Sequence, residues 1–148
     1  MAKIIFLELN EVPNQVFVES FQENLYLKDI SDFHYTPTIS EDKGHLSPWI
    51  TWSTIHKGVT NSVHCINEIN QFNEEKEKKN PSIWSILTNY GYKVGVFGSF
   101  HSSNISSDEY KKFSFFAPDS FSNSFHCIPS SLNGLQRLNL IMSRKSAR

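Results

Sequence analysis

The chain lacks long apolar runs, has little cysteine and carries almost no net charge. No segment approaches the ~20 consecutive apolar residues that span a bilayer. The formal net charge of -1 is far from the excess of Lys and Arg that a general nucleic-acid-binding protein needs. The two cysteines, Cys65 and Cys127, cannot build a disulfide scaffold and show no metal-ligand spacing. We therefore expect neither a membrane nor a nucleic acid among the partners.

Several functional motifs are missing as well. The spacings of a Walker A loop, an HExxH site, a nucleophile elbow and a zinc finger do not occur, and Gly95 and Gly98 lack the third glycine of a dinucleotide-binding loop. The apolar run Ile4 to Leu7 ends at Glu8, so it is shorter than the ~7–15 apolar residues of a signal peptide. We expect a cytoplasmic protein whose thiols stay reduced.

The residues that are present predict a single α/β domain over 1–148. Hydrophobic residues make up 39% of the chain, which is too many for intrinsic disorder and enough for one core. The run Ile4 to Leu7 is typical of a strand buried in a parallel sheet, and a helix is expected after it through about Asn24. Gly91 separates a helix that starts at Pro81 from a second strand, Tyr92 to Phe97.

Two further helices complete this prediction. The segment Pro48 to Lys57 has Ser47 as N-cap, a proline at its first position and Gly58 as C-cap. Pro129 to Met142 has leucines at helical spacing, and the charged run Glu74 to Lys79 fits a solvated loop or helix surface. We expect a mostly parallel sheet with helices on both faces, in which strands 4–7 and 92–97 are central neighbours.

Candidate ligands and nucleophiles lie at the predicted turns. Glu8, Asn10 and Glu11 follow the first strand, where α/β sheets bind ligands, and their oxygens suit a divalent metal ion. On the turn alone, the simpler interpretation is favoured, in which Asn10 and Glu11 only open a turn before the next helix. Ser47 and Thr51 place hydroxyls at a helix N-terminus, which can hold a phosphate or sulfate, although ordinary helix capping also accounts for Ser47.

Three stretches together resemble the N-terminal part of the alkaline phosphatase superfamily, in particular the sulfatases and the type I phosphodiesterase/nucleotide pyrophosphatases. Ile4 to Glu11 looks like the strand that delivers an acidic metal ligand. Trp52 to Gly58, followed by His64-Cys65-Ile66, is similar to the nucleophile helix and the His-Gly-Ile after it. Gly91 to His101 is similar to the sulfatase pattern of Gly-Tyr, a strand and Gly-Lys-Trp-His. The resemblance covers roughly residues 3 to 101.

The resemblance implies a partial alkaline phosphatase-like core and a hydrolase acting on the phosphate or sulfate ester of a small molecule or glycan. A hydroxyl at the helix N-terminus would attack the phosphoryl group beside a divalent metal ion (zinc, manganese, calcium or magnesium) and form a covalent phospho-enzyme. By position, it implies metal ligands at Glu8, Asn10 and Glu11, a nucleophile at Ser47 or Thr51, and a substrate-side group at His101.

The chain also departs from the family pattern. The nucleophile is expected ten residues before the helix-ending Gly58, where this chain has Pro48. Ser99 stands where sulfatases have a lysine, which favours phosphate over sulfate esters. The family's remaining metal ligands, an Asp-His pair and a later His, come from strands farther downstream. We therefore expect these 148 residues to be the front part of a longer enzyme and to be inactive, or nearly so, alone.

Two other interpretations stay open. The first is a non-catalytic α/β module that binds an anionic ligand, such as a nucleotide or sugar phosphate, at the helix N-terminus from Ser47 to Thr51. The second is a truncated reading frame without a stable role, for which thermal unfolding would show no cooperative transition.

Overall fold

The computed structural model describes residues 3–10, 12, 13, 15, 16, 19, 20, 47–103, 105 and 107–146. By its internal contacts the chain divides into two units, Met1–His45 and Leu46–Arg148. The end of the helix predicted through Asn24 lies outside the described residues, as does Glu11 among the proposed metal ligands. The prediction of a single α/β domain over the whole chain stays a prediction.

In the first unit, the strand predicted at Ile4 to Leu7 is not formed. Residues 3–9 have no regular secondary structure, and these four apolar side chains are 67 to 93% exposed. An apolar run becomes a strand only where a neighbouring strand supplies ladder hydrogen bonds, and the described part of this unit contains no such strand. The helix predicted next is confirmed at residues 15, 16, 19 and 20, where Gln15 Nε2 donates to Glu19 Oε1 at 2.9 Å.

The second unit combines helices with two short strands. Within the described residues, no helix is both long and apolar enough to cross a membrane. In chain order the elements are α1 (Pro48–Lys57), α2 (Asn61–His64), α3 (Glu74–Lys79), α4 (Ile83–Asn89), β1 (Gly95–Phe97), α5 (Ser107–Tyr110), β2 (Phe115–Ala117), a 3-10 helix (Ser130–Leu132) and α6 (Asn133–Ser146).

Local signals set the ends of α1 as predicted. It follows Ser47, has Pro48 at its first position and ends at Gly58, whose φ of 65° lies in the left-handed region that favours glycine. The Gly58 N–H closes the last turn by donating to the Thr54 carbonyl at 2.9 Å. Helix α4 begins at Ile83, two residues after the predicted start at Pro81, and the chain reverses after it at Gly91, with φ of 80°.

The two strands form a small parallel pair, which is compatible with a small α/β fold. Gly95, Val96 and Phe97 align with Phe115, Phe116 and Ala117, and the connection between the strands carries α5. The partner of β1 in the described sheet is therefore β2, not the predicted strand at residues 4–7. The sequence analysis did not predict β2, because its phenylalanines lie in an irregular aromatic stretch without a clear turn before it.

The core of this unit forms between α4 and the sheet. Trp84, Val96, Phe113 and Phe116 are buried together, and Phe116 is the most completely buried of them. Phe116 also exchanges backbone hydrogen bonds with Ile128, at 3.0 and 2.8 Å. These two hydrogen bonds join the segment before α6 to the edge of β2 that does not pair with β1. The core thus supports the end of β1, from which the candidate site extends.

Candidate functional site

The turn after β1 carries the candidate site. Gly98 leaves the strand with φ of 67°, and its N–H donates to the Ala117 carbonyl at 2.9 Å. His101 also has a positive φ, of 59°, which is uncommon for a residue with a side chain. This turn lies at the carboxyl end of a parallel strand, where α/β sheets bind their ligands.

A buried carboxylate holds the turn in place. Asp119 is 4% exposed, and its carboxylate accepts a hydrogen bond from the backbone N–H of Phe121 at 2.8 Å. The backbone N–H of His101 also interacts favourably with this carboxylate. Burial raises the pKa of Asp119, and these N–H donors act against that rise. Sequence patterns did not single out this role, because Asp119 belongs to no known motif and its partner lies 18 residues earlier.

His101 itself is a buried, neutral imidazole. Its side chain is 9% exposed, and neither ring nitrogen has a hydrogen-bond partner among the described residues. Burial, together with the charges of His56, Lys57 and His64, lowers the pKa of His101 to about 4. At neutral pH the ring therefore has one N–H donor and one acceptor nitrogen, both of which are buried.

His56 connects α1 to the same turn. Its Nε2 lies 3.3 Å from the Ser99 hydroxyl, and its ring contacts those of Trp52 and Trp84, with centroids 5.8 and 4.7 Å away. Ser99 is thus a neutral hydrogen-bonding partner of a helix residue. The sequence analysis missed His56, although its position three residues after the buried Ser53 places both on one helix face.

Both ring nitrogens of His64 form hydrogen bonds within the structure. Its Nδ1 accepts the backbone N–H of Ile66 at 3.0 Å, so the ring proton must lie on Nε2, which donates to Thr54 Oγ1 at 3.0 Å. Burial, and secondly the charge of Lys57, lowers the pKa of His64, which agrees with a neutral ring. His64 therefore attaches α2 to α1 and has no nitrogen left for a ligand.

Lys57 is the buried cation of this region. Its side chain is 4% exposed and forms an ion pair with Glu77 at 2.6 Å, with further hydrogen bonds to the Asn80 carbonyl and Ser82 Oγ. These contacts join the end of α1 to α3 and to the start of α4. The cavity beside them, which His64 and Glu77 help to line, has a volume of about 10 Å³, which is close to the space that one water molecule needs.

An aromatic cluster brings the N-terminus of α1 to the His101 turn. The Trp49 ring lies edge-on to Phe100 and Phe121, at centroid distances of 5.3 and 5.7 Å. The candidate nucleophiles Ser47 and Thr51, both half-buried, flank Trp49 on the same helix turn. The structure thus brings together two of the three stretches that were predicted to form the site.

The N-terminus of α1 offers few backbone donors to an anion. Pro48 has no N–H, and the N–H groups of Ile50 and Thr51 already donate to the Ser47 carbonyl at 3.1 and 3.0 Å. Among residues 48–51, only Trp49 has a backbone N–H that makes no hydrogen bond to the described residues. The Ser47 hydroxyl makes no capping hydrogen bond to the described residues.

The proposed metal ligands belong to the first unit. Glu8 is half-buried and Asn10 is exposed, while Glu11 is not among the described residues. In the described ranges, no three His, Cys, Asp or Glu side chains lie together as a metal site requires. The metal ligands therefore stay a prediction from sequence.

Comparison with known proteins finds no matching family model, no matching curated protein and no matching solved structure.

Proposed function

We propose that the chain belongs to the metal-dependent phosphate- and sulfate-ester hydrolases related to alkaline phosphatase, with phosphate esters as the preferred substrates. The observation that carries this proposal is His101, a buried imidazole on the turn after a parallel strand with two ring nitrogens unpaired among the described residues. Such a site can offer one imidazole N–H to an anionic group, and the nearest fixed cation, Lys57, is already paired with Glu77.

In this proposal the neutral His101 donates its N–H to an ester oxygen of the substrate. Its low pKa keeps it from acting as a charged acid at neutral pH, so its role is to bind and orient. Ser47 or Thr51 is the proposed nucleophile, and Glu8, Asn10 and Glu11 are the proposed metal ligands. The two described strands would be part of a larger, mostly parallel sheet with helices on both faces.

Binding of p-nitrophenyl phosphate, measured by isothermal titration with and without manganese, tests the proposal. We expect metal-dependent binding that His101→Asn weakens by roughly 10- to 100-fold, the effect of losing one hydrogen bond to a charged group. His126→Asn, which changes an exposed histidine, is the matched control and should leave the affinity unchanged. An affinity that is unchanged by EDTA and by the His101→Asn substitution would contradict the proposal.

Hydrolysis tests the accompanying prediction that these 148 residues alone are inactive or nearly so. The purified chain would be assayed with p-nitrophenyl phosphate and its bis-ester in the presence of zinc or manganese. Turnover that disappears on chelation would refute the prediction of inactivity. Comparison of Ser47→Ala with Thr51→Ala would then identify the nucleophile.

A non-catalytic module that binds a nucleotide or sugar phosphate at the N-terminus of α1 is the alternative. The scarcity of uncommitted N–H groups in residues 48–51 makes it the less favoured function. Binding that persists in EDTA and that Ser47→Ala abolishes would support it. We also infer a cytoplasmic location, in which Cys65 and Cys127 remain reduced, and cell fractionation tests this.

A further inference from the structure

Helix α6 has two faces of opposite character. Gln136 and Leu140 lie on its buried face, each 7% exposed. Four large apolar residues lie about half a turn away from these two around the helix and point outward, with 51 to 67% of each exposed. We call them the α6 stripe: Leu135, Leu138, Ile141 and Met142.

The orientation of α6 about its own axis is fixed. The Gln136 side-chain amide donates to the carbonyls of Pro118 and Asp119, at 3.1 and 3.0 Å, and Leu140 is buried on the same side. Rotating the helix to bury the stripe would break both hydrogen bonds and expose Leu140. The stripe therefore faces outward as a result of how the buried face is held.

The charged residues of α6 itself have one sign. After Asp119 the sequence contains no further Asp or Glu, whereas Arg137, Arg144 and Lys145 lie on α6 itself. The whole chain has a net charge of -1, so positive charge is concentrated in this part of an otherwise acidic protein. A surface that covers the stripe must be apolar in its interior and negative at its border.

We propose that α6 docks on an anionic lipid surface, with the stripe inserted among the acyl chains and the basic residues among the headgroups. A helix of 14 residues is about 21 Å long and offers roughly 200 Å² on one face, well below the ~800 Å² per partner of a stable protein interface. A lipid surface requires no complementary shape, and basic amphipathic helices bind it. This inference replaces the expectation that no membrane is a partner.

Sedimentation of the full chain with vesicles tests this inference. We expect binding to vesicles with about 30% phosphatidylserine, little binding to phosphatidylcholine alone, and release at high salt. Replacing both Arg144 and Lys145 by Gln should lower the partition coefficient by roughly 30-fold, since each basic residue contributes about 1 kcal/mol. Replacing Lys78 and Lys111, which are exposed elsewhere, should have little effect.

The apolar contribution has its own matched pair of variants. Ile141→Asp, in the stripe, should abolish vesicle binding, whereas Ile83→Asp, on α4 and equally exposed at 50 against 51%, should preserve it. Circular dichroism checks that both variants fold. Equal binding by both, equal binding to neutral vesicles, or an Ile141-dependent dimer in light scattering without vesicle binding would each overturn the inference. Because Ile141 lies outside the His101 site, failure here leaves the proposed function untouched.

Discussion

Burial sets the charge of His101, and this has a consequence for stability. Its pKa is about 4 in the folded chain and about 6.5 when unfolded, so the unfolded state binds more protons between these values. Stability should therefore be complete above pH 6.5 and fall as the pH drops towards 4. His101→Gln should remove up to about 3 kcal/mol of this loss at pH 4.

Urea unfolding at several pH values measures this effect. The exposed His126→Gln serves as control and should retain the dependence of the original chain. Part of the dependence will also remain in His101→Gln, because burial lowers the pKa of His64 as well. An identical pH profile for His101→Gln and the original chain would show that His101 does not carry this effect.

At the residue scale, the sequence predicted several candidate site residues but not the residues they contact. It singled out Ser47, Thr51 and His101, and the structure brings α1 and the His101 turn together. It did not find His56 or Asp119, because each acts through a residue distant in sequence: Ser99 for His56, and the His101 backbone for Asp119. Contacts of this kind depend on the tertiary fold, which spacing in one sequence does not encode.

At the element scale, two glycines should respond oppositely to the same substitution. Gly58 ends α1 with φ of 65°, so Gly58→Ala should destabilise the chain by about 1 kcal/mol through backbone strain. Gly134 lies inside α6, and Gly134→Ala should stabilise it by about 0.5 kcal/mol. An added Cβ meets no described atom within 4 Å at either position, so side-chain clashes do not confuse the comparison.

Thermal or urea unfolding of the two alanine variants gives both values. Stabilisation by Gly58→Ala, or equal destabilisation by both changes, would show that the left-handed turn at Gly58 is not what ends α1.

Elements with local signals were predictable, and elements that depend on distant pairing were not. Helix α1 has a cap, a proline and a terminal glycine within its own sequence, and its bounds are confirmed. The apolar run Ile4 to Leu7 has the composition of a strand but no described ladder partner in its unit, whereas the aromatic segment Phe115–Ala117 forms a strand because β1 lies beside it. Composition indicates that a segment can be buried, and pairing decides whether it becomes a strand.

At the scale of the whole molecule, protection from hydrogen exchange should be uneven. The N–H groups of Phe116 and Ile128 each donate to the carbonyl of the other residue, and Phe116 is buried, so these two amides should exchange slowest. The amides of residues 4–7 should exchange fast, because this segment is exposed and has no regular secondary structure. Exchange followed by NMR tests this, and slow exchange at residues 4–7 would support the central strand predicted from sequence.

Asp119 links two distant parts of the molecule through different atoms. Its carboxylate interacts favourably with the backbone N–H of His101, and its carbonyl accepts a hydrogen bond from the Gln136 side chain that orients α6. Thermodynamic linkage then requires symmetry. By whatever factor a lipid surface at α6 changes the affinity of the His101 site for an anion, the anion changes the affinity of α6 for lipid by the same factor.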